Sequence, residues 1–224
     1  MFEDLSLSDI SKNRCSMVRK PTSTGPAIWR IEENGHKAIV KDFRYNGFLY
    51  RNIIGRFLIW REAKAYRNLR NLKGVPAFYG SLGGITLIVE EIGGTDIEEL
   101  EVISSLSDTF YKELKDLIKK VHKRGLVHCD LKRAPNIMLG SDGKPYIVDW
   151  ASAISKREFR FFPMKLIYER FIKDDLNAVT KLRLKYQPEK VSQEDKDLYM
   201  KRSRLELLVR TVKDWFKDSL KKIA

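Results

Sequence analysis

The sequence predicts an α+β protein, with a small β-rich part over residues 1–94 and a mainly helical part over residues 95–224. Within residues 27–43, two β-rich runs surround an Asn-Gly pair, which is a strong hairpin signal. After Gly93 and Gly94 the composition changes from strand-rich to helix-rich. With 224 residues, 43% of them hydrophobic, the chain can bury a sizeable core.

One helix is predicted among the strands of the first part. From Gly55 to Leu72 the apolar residues recur every three or four positions among Arg, Lys and Glu, the pattern of an amphipathic helix. Gly74 and Pro76 follow its end. The short apolar runs 77–80 and 85–90 are predicted to be further strands.

The second part begins with a well-marked helix. It is predicted from about Asp108 to Lys123, with Ser107 or Asp108 as its N-cap and Gly125 beyond its end. An Asp-Gly pair at 142–143, between two apolar runs, predicts a second hairpin.

The remaining chain has helical periodicity over residues 164–185 and 196–222. Lys and Arg separate the apolar residues from Leu198 to Ile223. This segment is predicted to be a helix packed on the second part, and the alternative is a basic amphipathic helix on an anionic membrane.

Composition excludes several classes of protein. Cys15 and Cys129 lack the spacing of a zinc site or a disulfide scaffold, and the acidic first residues do not have the order of a signal peptide. We therefore expect a cytoplasmic protein. The net charge of +13 suits phosphorylated substrates, nucleic acid or an anionic membrane surface. Nucleic acid is disfavoured as a partner, because no aromatic-basic signature accompanies the charge.

The residues that carry chemistry lie in the stretch His128–Asn136 and just after the second hairpin, at Asp149. Asp130 has the chemistry to orient a hydroxyl and accept its proton. Asn136 and Asp149 offer the oxygen ligands that Mg²⁺ prefers. These groups together are the equipment of phosphoryl transfer.

This stretch resembles the catalytic loop of the protein-kinase-like superfamily, His-x-Asp-Leu-Lys with a downstream Asn and a later metal-binding Asp. Other motifs occur in the family's order. Residues 38–41 look like the strand that ends in the phosphate-binding lysine, Lys41, and residues 61–63 look like the helix that carries its partner, Glu62. Residues 87–94 are similar to the strand and hinge that hold adenine, which implies that Glu90 and Ile92 contact the cofactor.

The resemblance covers residues 20–155 and is strongest to compact atypical kinases of the RIO-type and lipopolysaccharide-core-kinase-like group. It implies a bilobal protein-kinase-like fold that binds ATP and Mg²⁺. Lys41, held by Glu62, would orient the phosphates, while Asn136 and Asp149 would hold Mg²⁺. The catalytic residues implied are the acceptor-binding aspartate and a lysine that offsets transition-state charge, Asp130 and Lys132.

The chain departs from typical protein kinases at three places. The loop of three spaced glycines is missing, so Ser23, Thr24 and Gly25 are the candidate phosphate cradle. Asn136 stands six residues after Asp130, where the family motif has five, so either the loop bulges or Asn136 is displaced from the metal. Trp-Ala replaces Phe-Gly after the metal-binding Asp and no Ala-Pro-Glu follows, which predicts that no phosphorylation-controlled activation segment exists.

The acceptor remains open at this point. A protein serine or threonine hydroxyl is the first expectation. The alternative is a sugar hydroxyl of a lipid-linked glycan, with the protein peripheral to the inner face of a membrane. A nucleotide-binding pseudokinase scaffold is a third reading, motivated by the poor glycine loop and the position of Asn136.

Overall fold

The computed structural model describes residues 15–102 and 106–200. These residues form two compact units, the first of residues 15–71 and 76–91 and the second of residues 72–75, 92–102 and 106–200. The first unit ends at Glu91, a few residues before the predicted boundary at Gly94. The predicted helix from Leu198 to Ile223 lies almost entirely outside the described residues.

The first unit combines an antiparallel sheet with one long helical stretch. Its elements are β1 (Cys15–Arg19), β2 (Ala27–Glu33), β3 (His36–Asp42), α1 (Phe48–Tyr50), a π-helical turn (Arg51–Gly55), α2 (Arg56–Asn68), β4 (Phe78–Leu82) and β5 (Thr86–Glu90). The strands are arranged in the order β1-β2-β3-β5-β4.

The predicted hairpin is confirmed and places β3 next to β2. Glu33 pairs with His36, and the two residues between them, Asn34 and Gly35, have φ angles of 51° and 76°. Two consecutive positive φ angles are the mark of a type I′ turn, which Asn-Gly favours.

Strand β3 separates a core face from a face that carries a charge. Ala38 and Val40 are fully buried and pack with Ile31 and Ile88. Because successive side chains of a strand point to opposite faces, Lys41 lies on the other face. The sheet therefore fixes the direction of the lysine through the burial of its neighbours.

The helical stretch begins earlier than its predicted start at Gly55. Phe48 is its first residue, and the π-helical turn joins α1 to α2. Many apolar side chains before Gly55 face solvent, and the wider turn interrupts the 3.6-residue period. Apolar periodicity therefore does not mark the true start.

The second unit is helical with small sheets. Its elements are β6 (Gly94–Asp96), α3 (Asp108–Lys123), β7 (Leu126–Val127), β8 (Ile137–Gly140), β9 (Pro145–Ile147), β10 (Ile154–Ser155), α4 (Met164–Tyr186) and α5 (Gln193–Met200). The predicted N-cap of α3 is confirmed, since Ser107 Oγ accepts a hydrogen bond of 3.1 Å from Phe110 N. The second hairpin, β8 and β9, is confirmed too.

Residues 72–75 belong to the second unit because Gly74 docks there. Gly74 O accepts a hydrogen bond of 2.8 Å from Ile147 N. Its φ is 90°, and a Cβ at this position would lie 2.6 Å from Leu117 Cδ2. Only glycine meets both demands without strain.

Helix α4 completes the base of the second unit. Tyr168 packs with Val127 and Ile154, which pair across β7 and β10. Along residues 15–102 and 106–200, no helix is both long enough and apolar enough to cross a membrane.

Candidate active site

A buried ion pair in the first unit joins the sheet to the helix. Lys41 Nζ on β3 lies 2.7 Å from Glu62 Oε1 on α2. Glu62 is buried and Lys41 is partly buried. Desolvation offsets much of the attraction in such a pair, so it is retained more for what it positions than for stability. The structure thus brings together the two residues that the resemblance implied as partners.

The loop that precedes β2 is held by its backbone carbonyls. Asn46 Nδ2 donates to the carbonyl oxygens of Thr22, Ser23 and Gly25 at 2.8, 3.2 and 3.2 Å. Tyr50 Oη donates to Thr24 O at 2.9 Å. Burial raises the pKa of Tyr50, so the hydroxyl stays a proton donor well above neutral pH. Four successive carbonyls therefore face Asn46 and Tyr50.

This arrangement has a direct consequence for the amides of the same loop. In a trans peptide the N–H points away from the preceding C=O, so the amides of Ser23, Thr24 and Gly25 are directed away from Asn46 and Tyr50. Amides that point outward are available as donors to an anion.

Gly25 has a steric role in the same loop. A Cβ on Gly25 would lie 2.7 Å from Thr22 Oγ1, so a larger residue there would require the Thr22 side chain to shift. One glycine, a carboxamide and a phenol thus shape the loop where typical kinases use three glycines.

The loop after β7 is organised by an aspartate from α4. Asp175 is 2% exposed, and its carboxylate accepts hydrogen bonds from His128 N at 2.8 Å and Cys129 N at 3.1 Å. His122 Nε2 lies 3.1 Å from the same carboxylate. Cys129 has a φ of 68°, a left-handed conformation that turns the chain towards Asp130.

His128 links this loop to the chain that follows β9. Its Nδ1 accepts from Asp130 N at 3.3 Å and its Nε2 lies 3.0 Å from Val148 O. These contacts assign the tautomer with hydrogen on Nε2. The ring is fully buried and meets the Trp150 ring edge-on at 4.7 Å between centroids. His128 therefore positions Asp130 and does not itself present a base.

The extra residue between Asp130 and Asn136 is accommodated by turns. Asp130 O accepts from Arg133 N at 3.2 Å and from Asn136 Nδ2 at 3.0 Å. Asn136 O in turn accepts from Val148 N at 3.0 Å. The buried Asn136 therefore folds back onto the loop, and its amide nitrogen is engaged by the Asp130 carbonyl.

Asp149 follows Val148 in a left-handed conformation, with φ 62° and ψ 70°. It is exposed, whereas Trp150 beside it is fully buried and donates from Nε1 to Ile147 O at 3.2 Å. Anchoring by the tryptophan fixes the backbone at a point where the aspartate side chain stays accessible. Within the second unit, Asp149 and Asn136 lie on chain segments joined through Val148.

Lys132 has a partner that the sequence pattern did not indicate. Its Nζ lies 3.0 Å from Asp174 Oδ1 on α4, and Arg170 contacts the same oxygen at 2.9 Å. Lys181 Nζ also donates to Lys132 O at 2.9 Å. The structure therefore shows Lys132 in a salt bridge.

The hinge residues implied for the cofactor lie at the end of the first unit. Glu90 Oε2 accepts from Ala77 N at 2.9 Å, and Glu90 N donates to Ala77 O at 2.8 Å. The chain enters the second unit at Ile92, directly after Glu91.

Three site residues escape sequence reasoning: Asn46, Tyr50 and Asp175. Asp175 carries a signal, because it lies seven residues after the buried Tyr168 and shares the inward face of α4 with Ala178 and Leu182. An acidic residue on an apolar helix face needs buried partners. Asn46 carries only the ordinary turn signal of Asn-Gly.

Comparison with known proteins decides the family. Residues 33–196 match the RIO domain. The chain belongs to the RIO domain family. This confirms the RIO-type resemblance derived from the motifs.

Two curated proteins are also similar to this chain in sequence. The RIO-type serine/threonine-protein kinase Rio2 of Methanocaldococcus jannaschii is 25% identical over 183 residues, which cover 77% of this chain and 63% of the relative. The EKC/KEOPS complex subunit BUD32 of Encephalitozoon cuniculi is 33% identical over 100 residues, 44% of this chain and 49% of the relative. The chain thus spans about half to two thirds of the length of these relatives.

A solved structure confirms the fold class. The Rio2 kinase–ADP/Mg²⁺–phosphoaspartate complex from Chaetomium thermophilum matches with a TM-score of 0.60 at 16% identity, over 96% of this chain and 70% of that one. The α+β, protein-kinase-like fold expected for a RIO domain is therefore present. These comparisons give no support to a lipopolysaccharide-core kinase.

Proposed function

We propose that this RIO domain is an ATP-dependent kinase that transfers the γ-phosphoryl group to a serine or threonine hydroxyl of a protein. The observation that carries the proposal is the loop after β7, where Asp130 O holds Asn136 Nδ2 at 3.0 Å. One loop thereby fixes a carboxylate and a metal-ligand oxygen together. The printed name of the archaeal relative, a serine/threonine-protein kinase, supports the acceptor class.

In this proposal, the first unit binds the phosphates. Lys41 supplies the positive charge, and Glu62 holds its ammonium group in place at 2.7 Å. The outward amides of Ser23, Thr24 and Gly25 supply further donors. Positioning and charge neutralisation provide most of the catalysis in phosphoryl transfer, so both elements act on orientation.

Asp130 receives the acceptor hydroxyl. Its carboxylate is partly buried, and His128 and Asn136 fix its backbone. Accepting the hydroxyl proton as transfer proceeds is a general-base contribution, typically worth about 10²–10⁴ in rate. We propose that Lys132 leaves Asp174 to offset the charge that develops on the transferred group.

Asn136 and Asp149 fit a magnesium ion that arrives with ATP, and that ion would neutralise phosphate charge when bound. The donor set is one carboxylate and one carboxamide oxygen, both hard ligands. Such a sparse protein ligand set is typical of Mg²⁺ held jointly with phosphates.

The test compares ATP turnover and label transfer by the wild type, Asp130→Asn and a matched control, Asp116→Asn, on the exposed face of α3. We expect the turnover rate of Asp130→Asn to fall by a factor of about 10²–10⁴ and that of the control to match the wild type. Nucleotide binding without Asp130-dependent turnover would instead indicate a pseudokinase.

Hydroxylamine treatment of the labelled protein distinguishes the product. Phosphate on serine or threonine survives it, whereas an acyl phosphate is released. Release would contradict the hydroxyl acceptor and would match the phosphoaspartate named for the Chaetomium structure.

A further inference from the structure

The outer face of the helical stretch from α1 to α2 is apolar and open to solvent. Leu49, Ile53, Phe57 and Trp60 are 54%, 56%, 45% and 52% exposed, and Phe48 at the start is 75% exposed. Spacings of four, four and three residues place the side chains of four of them on one side of the helix. These four are Leu49, Ile53, Phe57 and Trp60. Side chains of this size are usually buried, so a continuous exposed stripe marks a surface that contacts something.

The surroundings of this stripe are strongly basic. Residues 43–73 contain eight Lys and Arg residues and a single acidic residue, Glu62. Glu62 is buried against Lys41 and adds no negative charge to the outer face. The stripe therefore lies in a field of one sign, which attracts an anionic surface.

Basic side chains also lie directly on the exposed rings. Lys64 Nζ is 5.0 Å from the Trp60 ring centroid, and Arg61 Cζ is 5.5 Å from that of Phe57. Arg51 Cζ is 5.7 Å from the Phe48 ring. Aromatic rings bordered by Lys and Arg are the composition of helices that lie in the headgroup region of a bilayer.

We propose that this face, from Phe48 to Lys64, docks on the surface of an anionic lipid bilayer. The apolar stripe would enter the boundary between headgroups and acyl chains, and the Lys and Arg side chains would contact the anionic headgroups. This contact is peripheral and needs no spanning helix.

Charge argues against two other occupants. A second copy would bring two faces of the same positive sign together, which is unfavourable. Residues 201–224 hold eight basic and three acidic residues, so this segment of the chain is also the wrong sign for the stripe. RNA would satisfy the charge, yet it offers nothing to the aliphatic side chains of Leu49 and Ile53.

The test is flotation of the full chain with vesicles of phosphatidylcholine, alone or with about 30% phosphatidylglycerol. We expect binding to the anionic vesicles only, weakened by salt. Leu49→Ser with Trp60→Ser should lower partitioning about tenfold or more, since two large apolar groups are removed. The matched control, Met17→Ser with Val18→Ser, removes two exposed apolar side chains from β1 and should bind like the wild type.

Tryptophan emission gives a second readout that does not depend on a disruptive variant. A blue shift on vesicle binding should disappear in Trp60→Phe, which keeps an apolar ring and should still float. A shift that persists would place another tryptophan, such as Trp215 outside the described residues, in the bilayer and overturn the proposal.

Three further results would also overturn it: equal flotation of both double variants, binding of transfer RNA without binding of vesicles, or self-association that the Leu49 and Trp60 substitutions abolish. Circular dichroism of each variant establishes that it is folded. Because the readout is binding and not phosphoryl transfer, its failure is distinct from failure of the proposed kinase activity.

Discussion

Removing the Asp175 carboxylate should release the loop that carries Asp130. Asp175 is buried and accepts from His128 N and Cys129 N. Alanine at this position leaves two buried amides without acceptors, at about 1–3 kcal/mol each. Asp175→Asn keeps one acceptor oxygen and should cost about 1.5–3 kcal/mol, the value of one hydrogen bond to a charged group.

Amide hydrogen exchange locates this effect. If about 2 kcal/mol is lost locally in Asp175→Asn, exchange at His128 and Cys129 should accelerate about thirtyfold. Amides in the first unit should change little. The neighbouring substitution Asp174→Asn makes the same chemical change next to a different partner, Lys132, and should leave both amides protected.

Turnover should fall in Asp175→Asn although the residue has no direct role in proton transfer. Unchanged exchange at His128 and Cys129 in a variant that has lost activity would refute the reasoning, because the loop would then not depend on this carboxylate. Urea unfolding provides the global free energy for comparison.

Further predictions concern the loop of Ser23, Thr24 and Gly25, the paired Lys132 and the buried Tyr111. Asn46→Ala should raise the dissociation constant for ATP, measured with a fluorescent analogue, whereas Asn52→Ala, which removes a carboxamide that donates to Phe48 O and does not contact the loop, should not. Lys132→Met should lower turnover while Asp174→Asn keeps it, and equal losses would assign the salt bridge a structural role. Burial raises the pKa of Tyr111 to about 12. Ionisation of Tyr111 therefore leaves the free energy of unfolding unchanged below pH 10 and lowers it by about 2–3 kcal/mol as pH rises towards 12. Tyr111→Phe should reduce that alkaline loss in thermal unfolding, with little cost at neutral pH, because the hydroxyl has no hydrogen-bond partner among the described residues.

Local signals in the sequence predict the parts of the fold that depend on neighbouring residues. Asn34-Gly35 specifies its hairpin through two positive φ angles, and Ser107 specifies the start of α3 through one side-chain hydrogen bond. In both cases the cause lies within a few residues of the effect. The family motifs likewise place Lys41 and Glu62, which the structure joins at 2.7 Å.

Contacts between distant residues are what the sequence could not show. Asp175 lies 47 residues from His128, and Asn46 lies 24 residues from Thr22. The pattern of α4 indicates that Asp175 needs a buried partner, yet neither sequence position reveals which residue it contacts. The salt bridge of Lys132 with Asp174 is similar, since the motif suggests a role for the lysine but says nothing about its partner across 42 residues.

The π-helical turn from Arg51 to Gly55 determines how many residues the chain can have between Asn46 and Glu62. A turn of this kind holds about one more residue than an α-helical turn, and one residue corresponds to roughly 100° of rotation. Deleting a residue there would yield a more regular helix, yet Tyr50 would swing away from Thr24 while Glu62 stayed on Lys41. Insertions and deletions are thus expected to be excluded from this stretch, because its length sets the angular position of Tyr50, which holds the loop at Thr24, relative to Glu62, which holds Lys41.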